Sequence, residues 1–231
     1  MEVTIRDEAL NNELYYDAQL MVKIAIEYPQ IEANAPEEGA MAFNQYYQDE
    51  AVKLSEMGED SLYPDAVAQY KFDMQQGFPF NSYELMQVFT VTYNKLPIIS
   101  LYRDVYTYTG GAHGLTERTA NTWEMDESAL LELSDLFVEG YDYNAVILET
   151  IKAEAKKRQE SGEVEYFDDY MELIDEYYDE KNFYLKDEGI VIFYPLYSIA
   201  PYYVGIQEFL IPYRIFGENL IRLKKTKLMW Y

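Results

Sequence analysis

Gly189-Ile190-Val191-Ile192-Phe193-Tyr194-Pro195-Leu196-Tyr197-Ser198-Ile199-Ala200-Pro201-Tyr202-Tyr203-Val204-Gly205-Ile206-Gln207 is the stretch on which the reading of this chain turns. It runs for nineteen residues without a charge, nearly enough to cross a bilayer as a helix. Two prolines, a glycine, a serine and four tyrosines interrupt it, and a lipid-exposed segment has no water to satisfy the backbone groups such residues free. The stretch therefore reads as a buried strand, Ile190 to Tyr194, followed by an aromatic loop. Just upstream, Phe183 to Leu185 pairs with it as a hairpin across Lys186-Asp187-Glu188-Gly189. Downstream, Ile206 to Ile211 is the last strand.

Working outward, helices and strands come in groups. Leu14 to Tyr28 alternates apolar and polar residues (Leu20, Val22, Ile24, Ile26) and reads as a strand ended by Pro29. Asn34 and Pro36 announce a helix with Phe43, Tyr47, Ala51 and Leu54 on its core face and Gly58 as its stop. A second helix begins at Pro64, facing inward with Val67, Tyr70, Lys71 and Met74, and ends at Gly77. Leu85 to Tyr93 alternates again, Pro97 opens a strand through Tyr108, and Leu115 to Met125 is extended. Leu133-Ser134-Asp135 is a turn. A helix over Tyr143 to Glu160 puts Tyr143, Val146, Ile147, Ile151 and Ala155 inside and stops at Gly162, and Asp168 to Tyr178 is a short acidic helix. The expected class is α+β, with mixed or antiparallel sheets, helices packed on one face, and two tightly associated subdomains over 1–95 and 96–231.

Composition narrows the partners. The 231 residues hold 42 Asp and Glu against 18 Lys and Arg, a net charge of −24. Such a surface repels phosphate backbones and anionic membranes, and it steers basic proteins or cations inward. The simpler reading of the charge is solubility. The 25 tyrosines suit an interface that needs an apolar face and a hydroxyl together, and they equally suit strands. Cysteine is absent, so disulfides, thiol nucleophiles and thiolate metal sites are excluded. Met1 to Asn12 lacks the apolar run of a signal peptide. The chain is either cytoplasmic or exported by a segment outside this sequence.

Catalytic signatures are sparse. His113 is the single histidine, in the loop Gly110-Gly111-Ala112-His113-Gly114. One reading is a binding loop with His113 at its tip. The other is a tight hairpin in which Gly110, Gly111 and Gly114 take positive φ. The loop has neither the spacing nor the lysine of a phosphate-binding fingerprint. Asp168, Asp169, Glu172, Asp175, Glu176, Asp179 and Glu180 form a dense acidic run without EF-hand spacing, either a solvated face or a docking surface for a basic protein. No catalytic residue, cofactor or metal ligand is assigned.

Several blocks do resemble a known pair of domains. These are Glu27-Tyr28-Pro29-Gln30-Ile31 before a helix containing Asn44; Tyr106-Thr107-Tyr108-Thr109-Gly110-Gly111-Ala112-His113-Gly114 with Asn121 and Leu133-Ser134-Asp135-Leu136-Phe137; and Phe183-Tyr184-Leu185, Gly189-Ile190 and Tyr197-Ser198-Ile199-Ala200-Pro201-Tyr202 with Gly205. They are similar to the paired domains of unknown function in the extracellular region of RsiV-type anti-sigma factors, which also flank the catalytic domain of PdaC-type peptidoglycan deacetylases. The resemblance implies an N-terminal domain of the deacetylase-associated type and a C-terminal one of the RsiV type. It also implies an extracellular or cell-surface location and, as ligand, lysozyme, a small basic protein. Anti-sigma activity and deacetylation do not carry over, since the sequence shows no transmembrane helix, sigma-binding segment or deacetylase domain. The expected function is an extracytoplasmic binding or sensor module for a basic protein. The alternative is an accessory or catalytic domain of a cell-wall or polysaccharide-processing enzyme that grips glycan. Expected binding residues are Tyr108, Gly110, Gly111, His113, Gly114, Tyr202 and Tyr203.

Overall fold

The computed structural model describes residues 1–221, and the α+β class is borne out. The strands are β1 (Thr4–Tyr16), β2 (Gln19–Ala33), β3 (Tyr83–Lys95), β4 (Ile98–Tyr108), β5 (Leu115–Glu124), β6 (Ala129–Leu131), β7 (Phe183–Leu185), β8 (Gly189–Tyr194) and β9 (Gln207–Pro212). The helices are α1 (Glu37–Met57), α2 (Tyr63–Gln76), α3 (Tyr143–Ser161) and α4 (Tyr170–Glu176). One sheet has the order β1-β2-β3-β4-β5-β6 and the other β7-β8-β9. The chain divides into two compact units that interleave along the sequence. An amino-terminal unit comprises 3–90 and 103–118; a carboxy-terminal unit comprises 1–2, 91–102 and, among the described residues, 119–221.

In the amino-terminal unit β1 and β2 form a long hairpin. Its turn is Asp17-Ala18, both residues at positive φ, which matches the right-handed twist of the flanking strands. Two strands thus replace the single one expected over Leu14 to Tyr28. Leu14 to Tyr16 closes β1, an element whose exposed, polar residues give no alternation to read. Nor does Pro29 end β2; it lies inside the strand, opposite Asp7 of β1. β2 and β3 pair in parallel, Val22 with Tyr83 through Ile26 with Gln87, and the crossover between them carries both helices.

Helix α1 buries Phe43, Tyr47 and Ala51, as its spacing implies. Gly58 does not stop it. With φ −61° it continues the helix into a π-helical turn, Gly58–Leu62, which runs on into α2. Glycine is there for proximity: a Cβ would lie 2.6 Å from Ile24 Cδ1 in the core. On α2 the inward face is Ala66 and Asp73, while Met74 and Lys71 are exposed and Val67 and Tyr70 half-buried. The expected face was one residue out of phase, because apolar side chains on this helix do not mark the side that packs. Gly77 ends α2 at φ 74°.

Asn44 fastens α1 to β2. Its Oδ1 accepts from the Ile31 amide at 2.6 Å and its Nδ2 donates to the Ile31 carbonyl at 3.0 Å, as a neighbouring strand would. Gln30 Nε2 donates to the Asn44 carbonyl at 2.9 Å. Arg103 on β4 reaches the same helix: buried, it stands 3.8 Å from Glu50 and over the rings of Tyr46 and Tyr47. Its charge is thus held by a carboxylate and two aromatic faces.

In the carboxy-terminal unit all six residues of β8 are buried. Ile190, Ile192 and Tyr194 face a core with Ile147, Ile151 and Ala155 of α3; Val191 and Phe193 face Tyr184, Tyr102 and Ala120. The expected hairpin to β7 forms, pairing Phe183 with Ile192 and Leu185 with Ile190. Ser100 of β4 ties in β7: its Oγ accepts from the Leu185 amide at 2.9 Å and lies 2.8 Å from Thr122 Oγ1. Gly162 closes α3 at φ 72°.

Two outcomes follow. Asn44→Ala leaves the Ile31 amide and carbonyl without their partner and should cost about 2 kcal/mol, read as a lower denaturation midpoint at unchanged m-value. Burial raises the Tyr178, Tyr194 and Tyr213 hydroxyls above the ordinary value of 10, and burial plus the Glu180 carboxylate pushes Tyr143 up to about 12. The unfolded chain loses these protons first, so stability is full below pH 10 and falls as pH rises from 10 through 12. Circular dichroism against pH, with tyrosinate absorbance followed in parallel, checks this, and Tyr178→Phe should make the fall shallower.

Candidate binding surfaces

Between Arg158 and Lys181 the sequence holds ten carboxylates and no cation. The fold puts the apolar residues of this run inside: Tyr166 and Ile174 are buried, and Val164, Tyr170 and Leu173 pack partly against the core. The Tyr166 amide donates to Gln159 Oε1 at 2.9 Å, which fixes the path after α3. One residue on, the Phe167 amide donates to the Ile199 carbonyl at 3.1 Å and brings the acidic loop beside the loop after β8. Glu163, Glu165, Asp168, Asp169 and Glu172 are left exposed.

That junction carries aromatic side chains as well. Tyr203, 70% exposed, donates its hydroxyl to Glu165, and the hydrogen bond to that carboxylate raises the phenol's pKa. Tyr197 is exposed and tilts against Tyr202 with ring centroids 5.4 Å apart. Cations on α3 are already engaged: Lys152 with Asp175, Lys156 with Glu160, Lys157 and Arg158 with Glu154. Glu180 accepts from Tyr143 and Asn144 at 2.8 and 2.6 Å. Glu163, Asp168, Asp169, Glu172 and Glu176, by contrast, make no ion pair among the described residues. The result is a negative surface with exposed phenol rings in it. Glu165 and Tyr197 are the members that sequence reasoning passed over; Glu165 stands outside the densest acidic run, and only the Phe167–Ile199 contact brings the two loops together.

The other surface lies in the amino-terminal unit, at the β4–β5 turn. Tyr108 ends β4 half-buried. Gly110 alone of the three glycines takes positive φ, 86°, so the expectation of left-handed backbone at Gly111 and Gly114 is corrected. Gly114 is required for a different reason: a Cβ there would stand 2.5 Å from the Thr107 carbonyl oxygen and the Tyr106 ring. At Gly111 the nearest atom would be 3.8 Å away. His113 is exposed, with Nδ1 3.0 Å from the Gly114 carbonyl oxygen. Thr107, Thr109, His113, Gly114, Leu115 and Glu117 line an open depression of about 370 Å³. Next along β5, Arg118 clasps Asp104 with two hydrogen bonds of 2.7 Å, locking β5 to β4. Hydroxyls, an imidazole and a carboxylate around a shallow hollow suit a polar ligand. The seven residues expected from sequence therefore fall on two surfaces, Tyr108 to Gly114 in one unit and Tyr202 and Tyr203 in the other.

The comparisons with known proteins divide the chain in a similar way. Residues 17–116 match the family described as Deacetylase PdaC, and residues 134–214 match the Protein of unknown function (DUF3298) family. A crystal structure of a DUF3298-family member from Bacteroides fragilis is 20% identical, with 99% of this chain and 97% of that one covered and a TM-score of 0.72. A DUF3298-family protein from Pseudomonas aeruginosa is 18% identical, with 96% of each chain covered and a TM-score of 0.61. At these identities the likeness is one of fold. No curated protein matches the chain. Among the described residues no helix is long and apolar enough to cross a membrane.

The glycine contrast is testable. Gly114→Ala should destabilise by about 2 kcal/mol because backbone must move to admit the methyl group. Gly111→Ala should stay within about 0.5 kcal/mol. Thermal unfolding of the two variants side by side decides it.

Proposed function

We propose, for a chain that carries the PdaC and DUF3298 domains in tandem, that it is a binding module of the cell exterior which captures a small basic protein. The observation that carries this reading is the junction of the exposed acidic loop with the aromatic loop after β8, where the Phe167–Ile199 hydrogen bond joins the two and Glu165 holds the exposed Tyr203. Carboxylates supply long-range attraction and speed encounter. Tyrosine supplies the short-range part, since its ring buries apolar area and its face accepts an ammonium or guanidinium group at little entropic cost. The hydrogen bond to Glu165 holds the Tyr203 ring in place before a partner arrives, so less freedom is lost on binding. Lysozyme is the partner that the RsiV resemblance suggests, and its strong positive charge fits the surface.

Titration calorimetry with a c-type lysozyme tests this. Raising ionic strength from about 0.01 to 0.15 M shortens the screening length from about 30 to about 8 Å, and affinity should fall at least tenfold. Tyr203→Ala should weaken binding by about 2 kcal/mol, and Tyr203→Phe, which keeps the ring, by less. Absence of binding at low salt, or affinity indifferent to salt, counts against the reading.

The hollow beside His113 favours a second reading, a glycan-holding accessory or catalytic domain, because its lining offers Thr107, Thr109, His113 and Glu117 as hydrogen-bonding groups to sugar hydroxyls. Turnover of muropeptides or xylan-type polymers, or chemical-shift changes at Thr107 to Glu117 with chitin oligomers, would support it if lost in His113→Ala. Neither effect in the parent chain retires it.

A further inference from the structure

The outer edge of β1 stands apart among the sheet edges of the described residues. At the opposite end of the large sheet β6 is three residues long, and in the small sheet β7 has three and β9 six. Short edges are the usual protection against unwanted strand pairing. β1 has thirteen residues, pairs with β2 on one side only, and contains neither proline nor glycine. Its register with β2 is regular from Ile5 to Leu14, with irregularities only at Thr4/Ile5 and Leu14/Tyr15. At about 3.4 Å per residue that is roughly 30 Å of straight edge. Among the described residues no backbone hydrogen bond outside the hairpin reaches residues 4–16, and the one group from elsewhere that touches their main chain is the Tyr63 hydroxyl, on the Tyr15 carbonyl.

The side chains decide what such an edge would accept. Asp7 and Glu13 are exposed and Glu8 half-exposed, against a single cation, Arg6, which is already paired with Glu8 at 3.0 Å. A second copy of the chain would bring the same acids against one another; pairing about Leu10 sets Asp7 opposite Glu13. We infer that the outer edge of β1 accepts an extended, lysine- or arginine-rich polypeptide segment as an added antiparallel strand, the main chain giving hydrogen bonds and Asp7 and Glu13 selecting positive charge. This site is separate from the Tyr203 surface and does not depend on the reading given to that surface.

The test uses the whole chain and a twelve-residue peptide of alternating Lys and Thr, at low salt. Amide hydrogen exchange should slow at least tenfold at alternate positions between Ile5 and Leu14 when the peptide saturates, with no such pattern elsewhere. Asp7→Lys with Glu13→Lys, both at exposed positions, should lower peptide affinity at least tenfold without moving the unfolding midpoint, and Tyr203→Ala should leave it unchanged. Controls are a Glu–Thr peptide and the Lys–Thr peptide N-methylated at alternate residues, which keeps its charge but cannot pair; neither should bind there. No binding, binding without protection of β1, equal binding of either control, or self-association of the chain through β1 in the absence of peptide would each overturn the inference.

Discussion

Burial of β8 on both faces is the constraint around which the carboxy-terminal unit is built. A strand with no solvent side cannot alternate, so Gly189 to Tyr194 is apolar throughout and each residue must find a neighbour. One face is met by the apolar stripe of α3, the other by Tyr102, Ala120 and Tyr184. β7 and β9 then take up its main-chain groups from either side. Because that strand satisfies its backbone within the sheet, the loop after it is free to be irregular, and it turns outward with Tyr197 and Tyr203 exposed while Ser198 to Ala200 stay inside. The surface chemistry of this unit is thus set by how its most buried strand ends.

The acidic run follows the same logic from outside. Carboxylates cannot be left unpaired in a low-dielectric interior, so a chain with 42 of them must spread most over its surface. On α3 the cost of crowding is offset by nearby cations at three- and four-residue spacing, as between Arg158 and Glu154. Past Gly162 no cation follows for eighteen residues, and the negative field is left for something else to neutralise. Tyrosine hydroxyls moderate it locally, Tyr203 on Glu165 and Tyr143 on Glu180, by donating to a carboxylate without cancelling its charge.

In the amino-terminal unit directional polar contacts supplement the apolar packing of Phe43, Tyr47 and Ala51. Asn44 mimics a strand edge for Ile31, and Arg103 lies between a carboxylate and two rings. Such contacts are directional, so they fix where α1 sits along β2 more sharply than packing alone would. Neither is visible as a pattern in the sequence, because each depends on one residue meeting one partner far away in the chain. The same holds for Gly58 and Gly114, whose lack of a side chain answers to atoms of other elements.

Period-two runs at Leu20 to Ile26 and Leu85 to Tyr93, the helical stripe Ile147-Ile151-Ala155, the left-handed stop at Gly162 and the uncharged run from Gly189 were legible in the sequence alone, since each is a repeat set by local geometry or by complete burial. So were the α+β class and the two domain resemblances, which rest on residues close together in the chain. Tertiary structure decided the rest. It made β1 a strand although the half-buried positions of that edge, Glu8, Leu10, Leu14 and Tyr16, leave no clean hydrophobic period, and it rotated α2 to bury Ala66 and Asp73, because small residues permit close approach that larger apolar ones obstruct. It also brought Glu165 to Tyr203 across the Phe167–Ile199 contact, a neighbourhood that comes into being only once the chain has folded back on itself.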